Sequence, residues 1–168
     1  MTGIDKHAIS EMIPHAGSMI LLDGVERYDD ERLVAITTSH VMPDNPLRDM
    51  QGRLHIACGI EYAAQAMAIH GGLLRATASG APPSKPRVGL LAGLRGIVLC
   101  ADYLDEMPGP LRIEVASLSA DDRASLYTFE IRAGDRLMLS GRATVVHDAI
   151  NPGLSPVRAA KEVAAGAG

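Results

Sequence analysis

The chain has no tryptophan and a single phenylalanine, Phe129, with aromatic residues at 3% of its 168 positions. A single-stranded nucleic-acid platform needs exposed aromatic faces along a basic groove, and a formal net charge of −4 supplies no such groove. No nucleic-acid partner is expected. Only two cysteines occur, Cys58 and Cys100, far apart and outside any CxxC or Cys/His spacing. Neither a disulfide framework nor a zinc site is indicated, and no metal is expected. Long apolar runs are missing too, as is the basic segment followed by an apolar stretch that marks a secretory leader. No membrane partner is expected, and the expected location is the cytoplasm.

What is present is a globular balance, 47% apolar against 21% charged, which is enough for one core filled by Leu, Val, Ile, Ala and Met. One domain over residues 1–148 is expected, followed by a disordered or loosely helical tail at 149–168, rich in Ala and Gly after Asn151-Pro152-Gly153.

Residues 4–12 carry Ile4, Ile9 and Met12 at amphipathic spacing and read as a short helix ended by Pro14. Residues 19–25 and 33–38, separated by Asp29-Asp30-Glu31, read as a hairpin. Between Val41 and Leu54 the breakers Pro43, Asn45, Pro46 and Gly52 read as a long loop, a place where sites tend to lie. Four strands are then expected at about 87–101, 110–118, 124–132 and 136–147, forming an antiparallel meander. In the last three, alternation turns Leu111, Ile113 and Val115, then Tyr127, Phe129 and Ile131, toward one face.

Between loop and strands lies a helix expected at about 57–76, apolar or small on almost every side except at Glu61. One long helix among about six strands is buried most economically by a sheet that curls around it, an α+β arrangement. At 100° per residue, Gln65, Cys58, Gly72 and Ala68 fall within about 60° of Glu61, a stripe of small or polar residues suited to a tunnel wall. Burial disfavours an ionised Glu61 and the positive end of the helix favours it, so acid and base roles both stay open.

Ile13-Pro14-His15 through Met19-Ile20-Leu21-Leu22-Asp23, the Asp44-Asn45-Pro46 loop, the run Gly59-Ile60-Glu61-Tyr62-Ala63-Ala64-Gln65-Ala66 and Gly89-Leu90-Leu91-Ala92-Gly93 occur in that order. Together they resemble the hotdog-fold β-hydroxyacyl-acyl-carrier-protein dehydratases. The pattern is most similar to the predicted 3-hydroxyacyl-ACP dehydratases of aryl-polyene-type clusters, over residues 10–147. The resemblance implies a hotdog fold, a strongly curved antiparallel sheet wrapped around one long central helix. It also implies dimerisation into a larger continuous sheet, as a homodimer or as a heterodimer with another hotdog subunit. The implied substrate is a 3-hydroxyacyl thioester carried by acyl carrier protein or CoA, with no cofactor beyond the phosphopantetheine that bears it. Elimination of water to a trans-2-enoyl thioester is the implied reaction. A catalytically incomplete acyl-binding subunit and a hotdog thioesterase are the alternatives.

In that family a histidine on the loop before the helix works with the helix carboxylate. This chain reads Asp49-Met50-Gln51-Gly52-Arg53 there, without a histidine. Glu61 carries over as acid or hydroxyl-orienting group. His55, six residues ahead of it, Asp49, at about the place of the missing histidine, and a partner subunit are the candidate sources of the base. His15 matches a position shared with the dehydratases and is assigned a structural role. His70 lies on the opposite side of the helix from Glu61. The N–H groups of Cys58, Gly59 and Ile60 are candidates to hold the thioester carbonyl, and Gln65, on the same face, is expected to bond to Glu61 or to strand backbone. Lys85, Arg87, Arg95 and Arg53 are the candidate contacts for an acidic carrier protein.

Overall fold

A computed structural model describes residues 3–80, 82, 89–121 and 123–147. The tail expected at 149–168, Lys85, Arg87 and the start of the strand expected at 87 lie outside the described residues. Among the described residues no helix is long and apolar enough to cross a membrane.

Strand β1 (Ile4–Asp5) leads into helix α1 (Lys6–Met12), whose first turn is capped by the Asp5 carboxylate accepting from Ala8 N at 2.9 Å. The helix buries Ile9 and Met12 and stops at Ile13, which is extended as a residue before proline must be. Met19–Leu22 is not the strand its apolar run suggests. Its 3₁₀ turn (Gly17–Met19) gives way to an extended stretch whose Leu21 and Leu22 are wholly buried. The backbone there bonds to side chains, to Gln65 of the central helix and, at Leu21 O, to the Thr37 and Ser39 hydroxyls, and not in a strand ladder. The hairpin forms further on, from β2 (Gly24–Tyr28) and β3 (Arg32–Thr37), closed by Asp29 accepting from Glu31 N and Arg32 N.

The loop after β3 starts with a 3₁₀ turn (Ser39–Val41) and is held from inside. Arg48 donates to Met42 O, His40 O, Gly52 O and, at 2.7 Å, the Asp105 carboxylate. Burial pushes that carboxyl up, but the hydrogen bond from Arg48 and one from the backbone outweigh it, so Asp105 stays below the usual carboxylate range. Asn45, buried, ties the same loop to the Tyr62 hydroxyl at 2.8 Å.

A 3₁₀ turn (Ile56–Cys58) then opens helix α2 (Gly59–Ser79), which Gly80 ends in the left-handed region at φ 66°. Strands β4 (Gly89–Leu99), β5 (Leu111–Ala120), β6 (Ala124–Ala133) and β7 (Arg136–His147) complete one antiparallel sheet in the order β1-β2-β3-β5-β6-β7-β4. Only β5-β6-β7 is a meander. β4 does not pair with β5 as expected but crosses to the far edge and pairs with β7, because β5 is taken by β3. Register shifts in β2, β4 and β5 and between β6 and β7 bend the ladder. The concave face closes on α2, and Leu111, Ile113, Val115, Tyr127, Phe129 and Ile131 are buried as their alternation predicts. Each fully buried Leu or Ile contributes about 1.5–3 kcal/mol.

Two histidines are sealed into this core. His40 is fully buried with Nε2 on Met107 O at 3.2 Å, and His70 is fully buried on α2. Burial depresses both imidazole pKa values from the ordinary 6.5. The unfolded chain therefore binds protons that the folded chain does not, and stability falls as the pH drops below about 6.5. The urea midpoint is expected to be flat above neutrality and to decline toward about pH 5. His70→Gln is expected to flatten that decline, and an unchanged slope in this variant would refute the assignment.

Candidate active site

Glu61 lies in the first turn of α2, and the residue beside it is His15, with Nε2 at 3.0 Å from Glu61 Oε1. The two side chains are 27% and 35% exposed, so the pair is open to a ligand yet shielded on its inner side. Three features bring His15 there. Ile13, wholly buried, anchors the chain next to α1, Pro14 keeps it extended, and Gln65 fastens the segment beyond. The buried Gln65 amide accepts from Leu21 N at 3.0 Å and donates to Met19 O at 2.8 Å and to Glu61 Oε1 at 3.2 Å. One side chain thus sets both the carboxylate and the strand-like segment that carries the imidazole. The other ring nitrogen of His15, Nδ1, is buried without a protein partner.

A cavity of about 220 Å³ opens beside the pair. Its floor is the α2 stripe Ala64, Ala68 and Gly71, and its walls include Leu91 of β4, Tyr127 of β6 and Val145 of β7. The small-residue stripe expected from the helical wheel is present but lies on the other side of Glu61. Ala68 is shared, whereas Ala64 and Gly71 replace Cys58 and Gly72. Deep in this wall His70 donates Nε2–H to Asp29 O at 2.9 Å. That fixes the tautomer, so Nδ1 accepts from the Tyr127 hydroxyl at 3.1 Å. Burial pushes the Tyr127 phenol up to about 12, and it keeps its proton.

The other expected residues are elsewhere. His55 caps the 3₁₀ turn, with Nδ1 accepting from Ala57 N at 3.1 Å and its ring edge against Tyr103. It lines a different hollow with Leu99 and Cys100, so it is not the partner of Glu61. Asp49 is exposed, and one carboxylate oxygen accepts from Gln51 N and Arg53 N, closing its own turn. Cys58 N is bonded to His55 O and the Gly59 N–H points back to Ala57 O and Ile56 O, so the 3₁₀ turn consumes donors expected to face a thioester. The Cys58 thiol points to Leu47 O, and burial raises its pKa. Gly59 has a packing reason: a Cβ there would sit 2.7 Å from Leu139 Cδ2 and 2.9 Å from Ile131 Cδ1. Ile60 packs against the core. Among the described residues no group of three His, Cys, Asp or Glu side chains could hold a metal. His15 was missed as the partner because 46 positions separate it from Glu61. The signal available was Pro14-His15 just ahead of an apolar run that had to cross the central helix.

The model of the ApeP dehydratase family, ApeP-like, matches residues 7–152. The chain belongs to the ApeP-like dehydratase family. No curated protein matches it in sequence. Among solved structures, a chain of the dehydratase heterocomplex ApeI:P from Xenorhabdus doucetiae superposes with a TM-score of 0.72 at 22% identity, covering 83% of this chain and 90% of that one. A mutant of thioesterase PA1618 from Pseudomonas aeruginosa follows at TM-score 0.51 and 13% identity, over 73% and 78% of the two chains. The E. coli PaaI protein of the phenylacetic acid degradation operon gives 0.51 and 12%, over 73% and 81%. At these identities the likenesses establish the hotdog fold, and the family membership rests on the family model.

Gln65→Leu removes the only bridge seen between Leu21 N, Met19 O and Glu61 among the described residues. With two buried backbone groups left unpaired, it is expected to cost about 2–4 kcal/mol in urea unfolding. The His15 imidazole resonances are expected to shift toward those of a free side chain, and unmoved resonances would show that Gln65 does not position His15.

Proposed function

We propose that this ApeP-like family member dehydrates a 3-hydroxyacyl thioester, presented on a phosphopantetheine arm by acyl carrier protein or CoA, with His15 and Glu61 as the catalytic pair. The observation that carries this reading is the 3.0 Å contact between a partly exposed imidazole and a partly exposed carboxylate at the edge of a mostly apolar cavity. The base comes from His15 instead of the expected His55 or Asp49.

Dehydration needs one group to take the C2 proton and one to protonate the departing hydroxyl. A neutral imidazole with a protonated carboxyl holds the same number of protons as an imidazolium with a carboxylate, so the pair can interconvert across a single hydrogen bond. In the reacting form His15 Nε2 removes the proton from C2 as the C2–H electrons become the C2=C3 bond. The C3–O bond breaks, the oxygen takes the Glu61 proton, and water leaves. Imidazolium and carboxylate remain, and transfer of one proton from Nε2 to Oε1 restores the pair. Gln65, donating to Oε1, holds the carboxyl in place through both states. The apolar wall of Ala64, Ala68, Leu91 and Val145 accommodates the acyl chain.

The partner we infer is another hotdog chain, a second copy or a different one, paired along β4. This edge strand runs for 11 residues and exposes Leu90, Leu91, Leu94, Val98 and Leu99, a liability unless another strand covers it. The likeness in fold to a chain of a dehydratase heterocomplex supports a hotdog partner. For carrier docking, Arg53 is already stacked 3.7 Å over Tyr103 and paired with Asp105 and Glu106, leaving Arg95 on β4 as the described candidate. We place this reaction in the cytoplasm.

Mass spectrometry of 3-hydroxyacyl carrier protein incubated with the chain, alone and with its hotdog partner, is expected to show loss of water. His15→Asn and Glu61→Gln are each expected to slow it by about 10²–10⁴-fold. Free acid in place of the enoyl product would establish a thioesterase. Full activity in either variant would overturn the pair's role. Leu94→Arg is expected to abolish association through β4 in light scattering while leaving the far-ultraviolet circular dichroism unchanged.

A further inference from the structure

One lining residue of the cavity beside Glu61 is an exposed cation, Arg75. Arg75 is on the same stripe of α2, fourteen residues beyond Glu61, or roughly 21 Å at 1.5 Å per residue. Its guanidinium is folded back along the helix. A Cβ on Gly71 would lie 3.4 Å from Arg75 Nη1, and one on Gly72 would lie 3.9 Å from Nη2. The same Gly71 Cβ would be 4.0 Å from the Tyr127 hydroxyl, so cation and phenol converge on one part of the wall. Among the described residues Arg75 has no carboxylate partner, as is also true of Arg27, Arg95, Arg123, Arg136 and Arg142, but of these arginines only Arg75 lines this cavity. Tyr127 cannot neutralise it, since its proton is committed to His70. His147, bonded to Ser125 Oγ at 2.8 Å, lines the same cavity and adds no negative charge.

Between the two polar ends the lining is Ala64, Met67, Ala68, Leu91 and Val145. A hydrocarbon segment is solvated well there. The amide-bearing arm of a carrier would leave its amide groups unpaired against the same surface. The acyl tail, not the arm, suits this route, and an arginine at its end selects an anionic oxygen group. We propose that the cavity is a site for acyl chains that terminate in a carboxylate, held at the far end by Arg75. This rests on the reading that the thioester reacts at His15 and Glu61.

Binding is to be measured by calorimetry with two N-acetylcysteamine thioesters that lack the 3-hydroxyl and so cannot lose water, 11-carboxyundecanoyl and dodecanoyl. The wild-type chain, with its hotdog partner where one is needed for solubility, is expected to bind the carboxylate-ended thioester about tenfold more tightly. Arg75→Gln is expected to abolish that preference and Arg75→Lys to retain most of it. Equal affinities in the wild type, or a preference that survives Arg75→Gln, would overturn the proposal. So would Arg75→Gln weakening phosphopantetheine-borne thioesters whatever their tail, which would assign the cation to the arm's phosphate. Because neither probe can lose water, the outcome is independent of whether the chain dehydrates 3-hydroxyacyl carrier protein.

Discussion

The site depends on the hydrogen bonds of one buried amide. Gln65 sits inside α2, where an unpaired amide would cost several kcal/mol, and it is satisfied by the backbone of the segment that crosses the helix and by Glu61. Those partners pin Met19 and Leu21 against α2. Pinning them leaves His15 little freedom, because Ile13 is buried a short distance upstream. The contact between imidazole and carboxylate is thus set by groups that take no part in proton transfer, as preorganisation requires.

A second set of buried polar groups keeps the surrounding frame rigid. Arg48 binds three carbonyls and the Asp105 carboxylate, and Asn45 joins the loop to the Tyr62 hydroxyl. On the opposite side of α2 the chain Asp29 O, His70 and Tyr127 hydroxyl crosses from the hairpin turn to the cavity wall. Each link is satisfied by a fixed partner, so the cavity has one rigid polar wall where the rest is apolar. The sheet differs at β4, which has no second strand beside it among the described residues and exposes five large apolar side chains. A long edge strand that exposes large apolar side chains is a template for pairing with another strand.

Much of this was legible in the residues. The long helix with its single carboxylate, the closing meander and the inward alternation of β5 and β6 follow from periodicity, since a strand buried on one face repeats every second residue. The hotdog resemblance rested on ordered motifs, and the family model and the fold agree with it. Three of the readings that failed did so for separate reasons. Met19–Leu22 looks like a strand because apolarity reports burial and not the partner of the backbone. β4 looks like the first strand of the meander because adjacency in sequence does not specify adjacency in a sheet. His55 looks like the base because it is near Glu61 along the chain, yet its ring nitrogen is used to cap the turn that follows.

By itself, then, the sequence determined which helix is central, that Glu61 is its anomalous group and that Gln65, one turn on, shares its face, all of them local consequences of helical geometry. Only the tertiary structure decided which imidazole meets that carboxylate, which side of the helix opens into a cavity and that Arg75 lines it. These depend on contacts between residues far apart in the chain. Such contacts are selected by packing and by the need to pair every buried polar group, and no spacing rule in the sequence encodes them.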